Sequence, residues 1–95
     1  MNKTIKAKWI AALRSGKYKQ AKGVMRKGPA SNPKGFCCLG VLCDVVGQTR
    51  FKAQSTFSNP AINHLLPYGV RQRLGYMNDD GKTFKQIAAY IEKNL

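Results

Sequence analysis

The first apolar pattern of the chain predicts an amphipathic helix over residues 4–14. Four apolar side chains recur at the spacing of one helical face: Ile5, Trp9, Ala12 and Leu13. The cationic side chains of this segment fall outside the stripe, and Ser15-Gly16 supplies a stop signal. We therefore expect Trp9 to anchor the helix in the core and the cations to face solvent.

The most apolar part of the chain predicts a buried central helix. Residues 36–46 carry a single charge, Asp44. Their pattern predicts a helix over 39–46 that is apolar on nearly all of its sides and ends at Gly47. Gly40 lies inside this helix, where glycine costs up to about 1 kcal/mol relative to alanine, so we expect another backbone to approach closely there. Asp44 is expected to lie at the rim of the helix and to pair with a Lys or Arg of the basic region.

The C-terminal helix has the clearest start signal. Thr83-Phe84-Lys85-Gln86 has the form of a capping box, in which the Thr83 hydroxyl accepts from the third helical amide and Gln86 reaches back to the Thr83 amide. The helix is predicted to run to about residue 94. It carries one unbroken apolar stripe: Phe84, Ile87, Ala88, Ile91 and Leu95. This stripe has to dock on the core.

The signals between these helices are weaker. Pro67 suits the first turn of a short helix through residue 74, with a stop at Gly75. Its inward residues are predicted to be Val70 and Leu74, and its outward residues Arg71 and Arg73. Residues 78–81 have the composition of a turn, and residues 47–60 hold at most a short strand at 50–54.

Residues 18–38 predict a small β element. We interpret residues 18–26 as one strand of a hairpin whose partner lies near 35–38, because the segment 27–35 between them holds two prolines and two glycines. The alternation in 18–26 is weak, and a helix is the alternative there. The result is a compact, helix-dominated α+β fold with the central helix between the first and last helices. An all-α bundle is the alternative. A chain of 95 residues corresponds to one domain, residues 1–95.

Several strings in this sequence resemble a known group of proteins. The most specific is Phe36-Cys37-Cys38-Leu39-Gly40-Val41-Leu42-Cys43-Asp44. The others are Trp9-Ile10-Ala11-Ala12-Leu13-Arg14-Ser15-Gly16-Lys17-Tyr18-Lys19-Gln20, Leu66-Pro67 with Val70, Asn78-Asp79, Gly81-Lys82-Thr83-Phe84 and Ile87-Ala88. Over nearly the whole chain they resemble small uncharacterised proteins of tailed phages and prophages. The resemblance implies a phage accessory protein that acts in the host bacterial cytoplasm, and it carries over no catalytic or binding residue.

Charge is distributed unevenly along the chain. The net charge is +13, and ten Lys and Arg residues precede Asp44, the first acidic residue. Such a charge on a small domain concentrates polyanions at its surface, so nucleic acid is the leading partner, with DNA favoured over RNA. The predicted contact residues are Lys6, Lys8, Arg14, Lys17, Lys19, Lys22, Arg26 and Lys27, extended by Arg71 and Arg73.

The predicted mode of binding is non-specific contact with phosphates. No helix-turn-helix, zinc-finger or aromatic RNA-binding signature is visible, so we expect weak sequence preference. Six contacts to duplex phosphates would give a log–log salt slope of about −5. Two basic faces related by a two-fold axis would also suit a duplex, so a dimer is compatible with this hypothesis.

A second hypothesis uses the same charge for a different partner. The cationic face would lie in an acidic groove of a host nucleic-acid enzyme or defence protein, and the chain would inhibit that protein by direct binding. Charge alone does not separate this effector from a nucleic-acid-binding protein.

Residues that usually carry catalytic chemistry are scarce. Cys37, Cys38 and Cys43 lack the paired spacing of structural zinc sites, and their odd number argues against a disulfide framework. We expect them to behave as small buried hydrophobes. With one histidine, His64, and four acidic residues, neither a Cys–His pair nor metal-assisted hydrolysis is favoured. We therefore expect no enzyme activity, no metal site and no cofactor.

Membrane insertion and export are not indicated either. The longest apolar run has 11 residues and includes Asp44, whereas a bilayer-spanning helix needs about 20. The apolar stretch after the basic N-terminus stops at Arg14, which is too early for a signal peptide. The sequence thus predicts an intracellular protein without a membrane partner.

Overall fold

The structure is a computed structural model that describes residues 1–47 and 60–95. Its elements, in chain order, are α1 (Lys3–Arg14), β1 (Arg26–Lys27), β2 (Gly35–Phe36), α2 (Cys38–Val45), α3 (Pro60–Asn63), α4 (Tyr68–Asp79) and α5 (Phe84–Asn94). This arrangement confirms the α+β fold and excludes the all-α bundle. The strand predicted at 50–54 lies outside the described residues. None of the described helices is long and apolar enough to cross a bilayer.

α1 is tied to the core by its one tryptophan. The helix starts at Asn2, whose Oδ1 accepts a hydrogen bond from Ile5 N at 3.0 Å. Trp9 is completely buried, and its indole Nε1 donates to the backbone oxygen of Cys38 at 2.9 Å. The prediction that Trp9 is a core anchor is confirmed, and the bond also fixes α1 against the start of α2.

α2 is buried along most of its length, as its composition predicts. It begins at Cys37, whose Sγ accepts from Gly40 N at 3.4 Å, and it is followed by Gly47 at φ +82°. A Cβ added at Gly40 would lie only 1.9 Å from the carbonyl oxygen of Met25. The predicted close approach of another backbone is therefore confirmed. The approaching backbone is that of Met25, the residue before β1.

The β element is a minimal antiparallel hairpin. β1 and β2 pair with Arg26 opposite Phe36 and Lys27 opposite Gly35. Lys34 N also donates to Lys27 O at 2.7 Å, which closes the Gly- and Pro-rich loop between the strands. The predicted hairpin is thus present, with two residues in each strand.

The strand expected over 18–26 is interrupted, and its earlier part lies on the other side of β2. Phe36 N donates to Lys19 O, and Phe36 O accepts from Ala21 N, each at 2.8 Å. The chain then turns at Gly23, where φ is +77°, before it returns as β1. Because of this turn, β2 has a hydrogen-bonded neighbour on both sides.

α4 does not end at Gly75 as predicted. Gly75 is buried within the helix, which continues to Asp79, so only Asp80 and Gly81 remain of the predicted turn. The reason is tertiary, because Asn78 is completely buried and its side chain is a hydrogen-bond hub.

The Asn78 side chain joins three parts of the fold. Its Oδ1 accepts from Cys38 N at 3.2 Å and from Gln20 Nε2 at 2.9 Å. Its Nδ2 donates to Ala21 O at 2.8 Å. These bonds hold the C-terminal end of α4 against the start of α2 and against the segment beside β2.

α5 matches its prediction. Gln86 N donates to Thr83 Oγ1 at 3.2 Å and Thr83 N donates to Gln86 Oε1 at 2.9 Å, which completes the capping box. The stripe is buried at Phe84, Ile87, Ala88 and Ile91. α5 packs mainly against α1, while α2 has its main helical neighbours in α1 and α4. The central helix is therefore not held between the first and last helices.

Candidate nucleic-acid interface

Two of the ten predicted contact residues are buried and cannot track a phosphate backbone. Arg26 is 8% exposed, and its Nε donates to Gly28 O at 2.8 Å. Arg71 is 7% exposed; it donates to the Asn63 side chain and lies over the Tyr68 ring, 5.5 Å from the centroid. The prediction that Arg71 points outward is wrong. A buried guanidinium needs partners of its own, and the hydrogen bonds to Gly28 O and to the Asn63 side chain direct these two cations into the fold.

Two further residues, Lys6 and Arg14, face α5 and are paired with Glu92. Arg14 donates to the two carboxylate oxygens of Glu92 at 3.1 and 3.3 Å, and Lys6 Nζ donates to the Glu92 backbone oxygen at 3.4 Å. The hydrogen bonds and the positive charge from Arg14 lower the pKa of Glu92. Part of the charge on this flank of α1 is thereby neutralised.

Three of the remaining cations lie on α1, beside the turn after α4 and on α4: Lys8, Lys22 and Arg73. Arg14 lies six positions after Lys8, which at about 100° per residue places them about 120° apart around α1. Lys22 lies beside the turn after α4, with its Nζ 3.6 Å from the position of a Cβ at Gly81. Arg73 is exposed on α4, in a shallow cleft of mixed charge. The ten residues do not form one continuous surface.

One group of lysines does converge. A cleft of about 280 Å³ is lined by Lys17, Lys19 and Lys34 together with Tyr18, Phe36 and Asp44, and by Pro33 and Gly35. We call it the lysine cleft. Its three lysines are exposed. Lys17 and Lys19 are among the predicted contacts, whereas Lys34, which lies in the predicted loop, is not.

Backbone pairing brings these lysines together. Lys19 is held beside β2 by its carbonyl bond to Phe36 N, and Lys34 directly precedes β2. Residues 15 positions apart in the chain therefore become neighbours in space. In the sequence, Lys34 is marked only by its position directly before Gly35-Phe36. That position indicates a place in the cleft only once β2 is known to pair on both sides.

Two aromatic rings form the apolar part of the cleft. Tyr18 meets Phe36 edge to face, with ring centroids 5.4 Å apart and an interplanar angle of 79°. Phe36 is buried and Tyr18 is half-buried. Ammonium groups around aromatic rings are the combination that single-strand and backbone-tracking sites use for phosphates and bases.

Asp44 meets a tyrosine rather than a basic residue. The Tyr18 hydroxyl donates to Asp44 Oδ2, and no Lys or Arg of the described chain forms an ion pair with this carboxylate. The predicted Lys or Arg partner is therefore wrong, although the position at the rim of α2 is confirmed. Burial, with the hydrogen bond to Asp44 and its negative charge, raises the pKa of Tyr18 to about 12. At neutral pH Tyr18 is thus a fixed, uncharged donor.

The cysteines are structural. All three are free and buried, and burial raises the pKa of Cys37 to about 11 and that of Cys43 to about 12. Thiols with these pKa values stay protonated at neutral pH and are poor nucleophiles. Cys37 caps α2, and Cys38 Sγ lies 3.5 Å from Leu74 O. Their predicted role as small buried hydrophobes is confirmed.

The fold and the cleft define a small, helix-dominated α+β domain with a cationic, aromatic-lined cleft beside its hairpin. By sequence the chain belongs to the family described as a domain of unknown function, DUF8296, whose model matches residues 1–72. The match includes every residue that lines the lysine cleft. Comparison with curated proteins and with solved structures finds no match.

Proposed function

We propose that this protein is a small basic phage accessory protein that binds nucleic acid, with weak sequence preference, in the host bacterial cytoplasm. The proposal is of a binding protein rather than an enzyme, with DNA favoured over RNA. One observation carries it: the lysine cleft gathers three exposed ammonium groups beside two aromatic rings. The phage setting rests on the resemblance of the Phe36–Asp44 string described above.

The lysine cleft holds three lysines, so we expect three phosphate contacts there instead of six. Three ammonium groups correspond to a log–log salt slope of about −2.7 on duplex and about −2 on a single strand. This is roughly half the slope of −5 expected from six contacts. An ammonium on a flexible stem is a point charge that contacts phosphate without reading bases, which agrees with weak sequence preference.

The test compares two triple variants that remove the same charge. In the first, Lys17, Lys19 and Lys34 are replaced by Gln. In the matched control, Lys82, Lys85 and Lys93 are replaced by Gln; these lysines are exposed and lie beyond the residues that the family model matches. Both variants lower the formal net charge from +13 by three.

Binding of a fluorescently labelled oligonucleotide is followed by anisotropy between about 50 and 200 mM salt. We expect the cleft variant to lose at least tenfold in affinity at low salt and to flatten the slope by about 2 to 3, while the control changes by less than about threefold. Equal losses in both variants would show that binding follows overall charge and not the cleft. No binding by the unmodified protein at about 50 mM salt would refute the proposed function itself.

A further inference from the structure

A second cavity lies on a different face of the domain. It is a groove of about 640 Å³ along α1, and only Glu92 of α5 contributes to its described lining. The floor is formed by Ala7, Ile10 and Ala11, and cations form the rim: Lys3, Lys6 and Arg14. We call it the α1–α5 groove. None of its described lining residues belongs to the lysine cleft.

The floor of the groove is suited to close contact with another helix. Ala7 and Ala11 are exposed and four residues apart, so they lie on the same face of α1. Small side chains at such positions let a second helix approach to about 8–10 Å between axes. α1 has 12 residues and is therefore about 18 Å long, which seats a partner helix of about three turns.

The rim determines the charge of the occupant. Three cations stand against one acidic residue, Glu92, so the groove carries an excess of positive charge. Glu92 also shows what this rim binds, because its carboxylate already accepts two hydrogen bonds from Arg14. A second copy of this chain is a poor occupant, since each copy carries a net charge of +13 and only four acidic residues.

We propose that the α1–α5 groove docks an acidic amphipathic helix of a partner protein. The apolar stripe of that helix would lie on Ala7, Ile10 and Ala11, and its carboxylates would meet Lys3 and Lys6 at the rim. The proposal does not depend on nucleic-acid binding, because it uses a separate face of the domain.

The probe is a labelled synthetic helix of about five turns with leucines at i, i+3, i+4 and i+7 and glutamates on the flanks. Ala11→Gln places an uncharged side chain on the floor of the groove. Ala89→Gln makes the same change at an exposed alanine of α5 outside the groove. We expect Ala11→Gln to weaken peptide binding by about tenfold and Ala89→Gln to leave it within about twofold.

A second pair tests the rim by charge. Lys3→Glu should weaken the peptide several-fold more than Lys85→Glu, because Lys3 lines the groove and Lys85 does not. Substituting these exposed residues leaves the buried core unchanged, and thermal unfolding of each variant verifies that it is folded. A scrambled peptide of the same composition, which has no apolar stripe, should bind much more weakly.

Several results would overturn the proposal. Equal binding of the scrambled peptide would reduce the groove to a charged surface. Sedimentation that shows a dimer dissociated by Ala11→Gln would assign the face to a second copy. Anionic lipid vesicles whose binding falls in Ala11→Gln, with the peptide unaffected, would assign it to a membrane.

The two functions are separable by the same variants. Ala11→Gln should retain oligonucleotide binding, and the Gln variant of Lys17, Lys19 and Lys34 should retain peptide binding. Failure of the groove proposal therefore leaves the nucleic-acid proposal untouched, and the reverse also holds.

Discussion

Replacing Gly40 by alanine should destabilise this protein, although alanine is the better helix former. A Cβ at position 40 would lie 1.9 Å from the Met25 carbonyl oxygen and 2.9 Å from its carbonyl carbon. Close carbon–oxygen contacts in proteins are about 3.3 Å, so α2 or the chain at Met25 has to move by more than about 1 Å. The same carbonyl accepts a bond from Cys37 N at 3.2 Å, and that bond is strained with it.

The expected size of the effect follows from two opposing terms. Alanine gains about 1 kcal/mol in helix propensity. Overpacking costs about 1 to 3 kcal/mol and more in some sites, and here the clash is with backbone, so we take about 4 kcal/mol. The net loss is about 3 kcal/mol, against a total stability of about 5 to 14 kcal/mol for a domain of this length. For such a domain this lowers Tm by about 12 to 24 °C.

The measurement is thermal and urea unfolding followed by helical circular dichroism. Gly69→Ala is the matched control, because Gly69 lies in α4 with nothing within 4 Å of an added Cβ. It should stabilise the protein by about 0.5 to 1 kcal/mol. If Gly40→Ala raised Tm as Gly69→Ala does, the close approach of Met25 would be refuted.

Three further predictions concern polar side chains. Asn78→Ala should cost about 2 to 4 kcal/mol in urea unfolding, because Cys38 N and Ala21 O lose their buried partner. Tyr18 has its pKa raised from 10.0 to about 12, so its contribution to stability is complete below pH 10 and is lost as the pH rises towards 12. Asp44→Asn should lower the Tyr18 pKa but leave the rise that burial causes. The pKa is read from tyrosinate absorbance, and the absorbance that Tyr18→Phe removes identifies the Tyr18 signal.

Each of these has a result that would contradict it. An Asn78→Ala variant as stable as the unmodified protein would mean that the hub bonds do not hold α4 to α2. For the tyrosine, an alkaline titration that is identical with and without Asp44 would disprove the hydroxyl–carboxylate pair. A loss of stability that begins at a pH well under 10 in the unmodified protein, but not in Tyr18→Phe, would contradict the upward direction of the Tyr18 pKa shift.

α5 could be predicted almost completely because its signals are local. The capping box joins residues three apart, and the apolar stripe repeats with the helix period. α1 and α2 could also be predicted, because their apolar patterns are local as well. Gly40 is instructive because its poor helix propensity correctly indicated a close backbone neighbour, although the identity of that neighbour, Met25, was not predictable.

α4 shows where local signals fail. Gly75 is a reasonable stop by propensity, but about 1 kcal/mol against glycine is less than the free energy of pairing a buried amide. The Asn78 side chain forms hydrogen bonds with Cys38 and Gln20, which are 40 and 58 positions away in the chain. These bonds extend α4 past Gly75. No pattern within the window of α4 contains that information.

The sequence by itself determined the helices α1, α2 and α5, their buried stripes and the surplus of positive charge. Only the tertiary structure decided which charges meet. Arg14 reaches Glu92 from 78 residues away, Arg26 and Arg71 turn inward, and Lys34 joins Lys17 and Lys19 because β2 pairs on both sides. Caps and helical stripes arise from contacts within one or two turns, whereas a cleft arises from contacts between distant segments. The cations of the sequence are therefore divided, in the fold, between the lysine cleft, the rim of the α1–α5 groove and other positions.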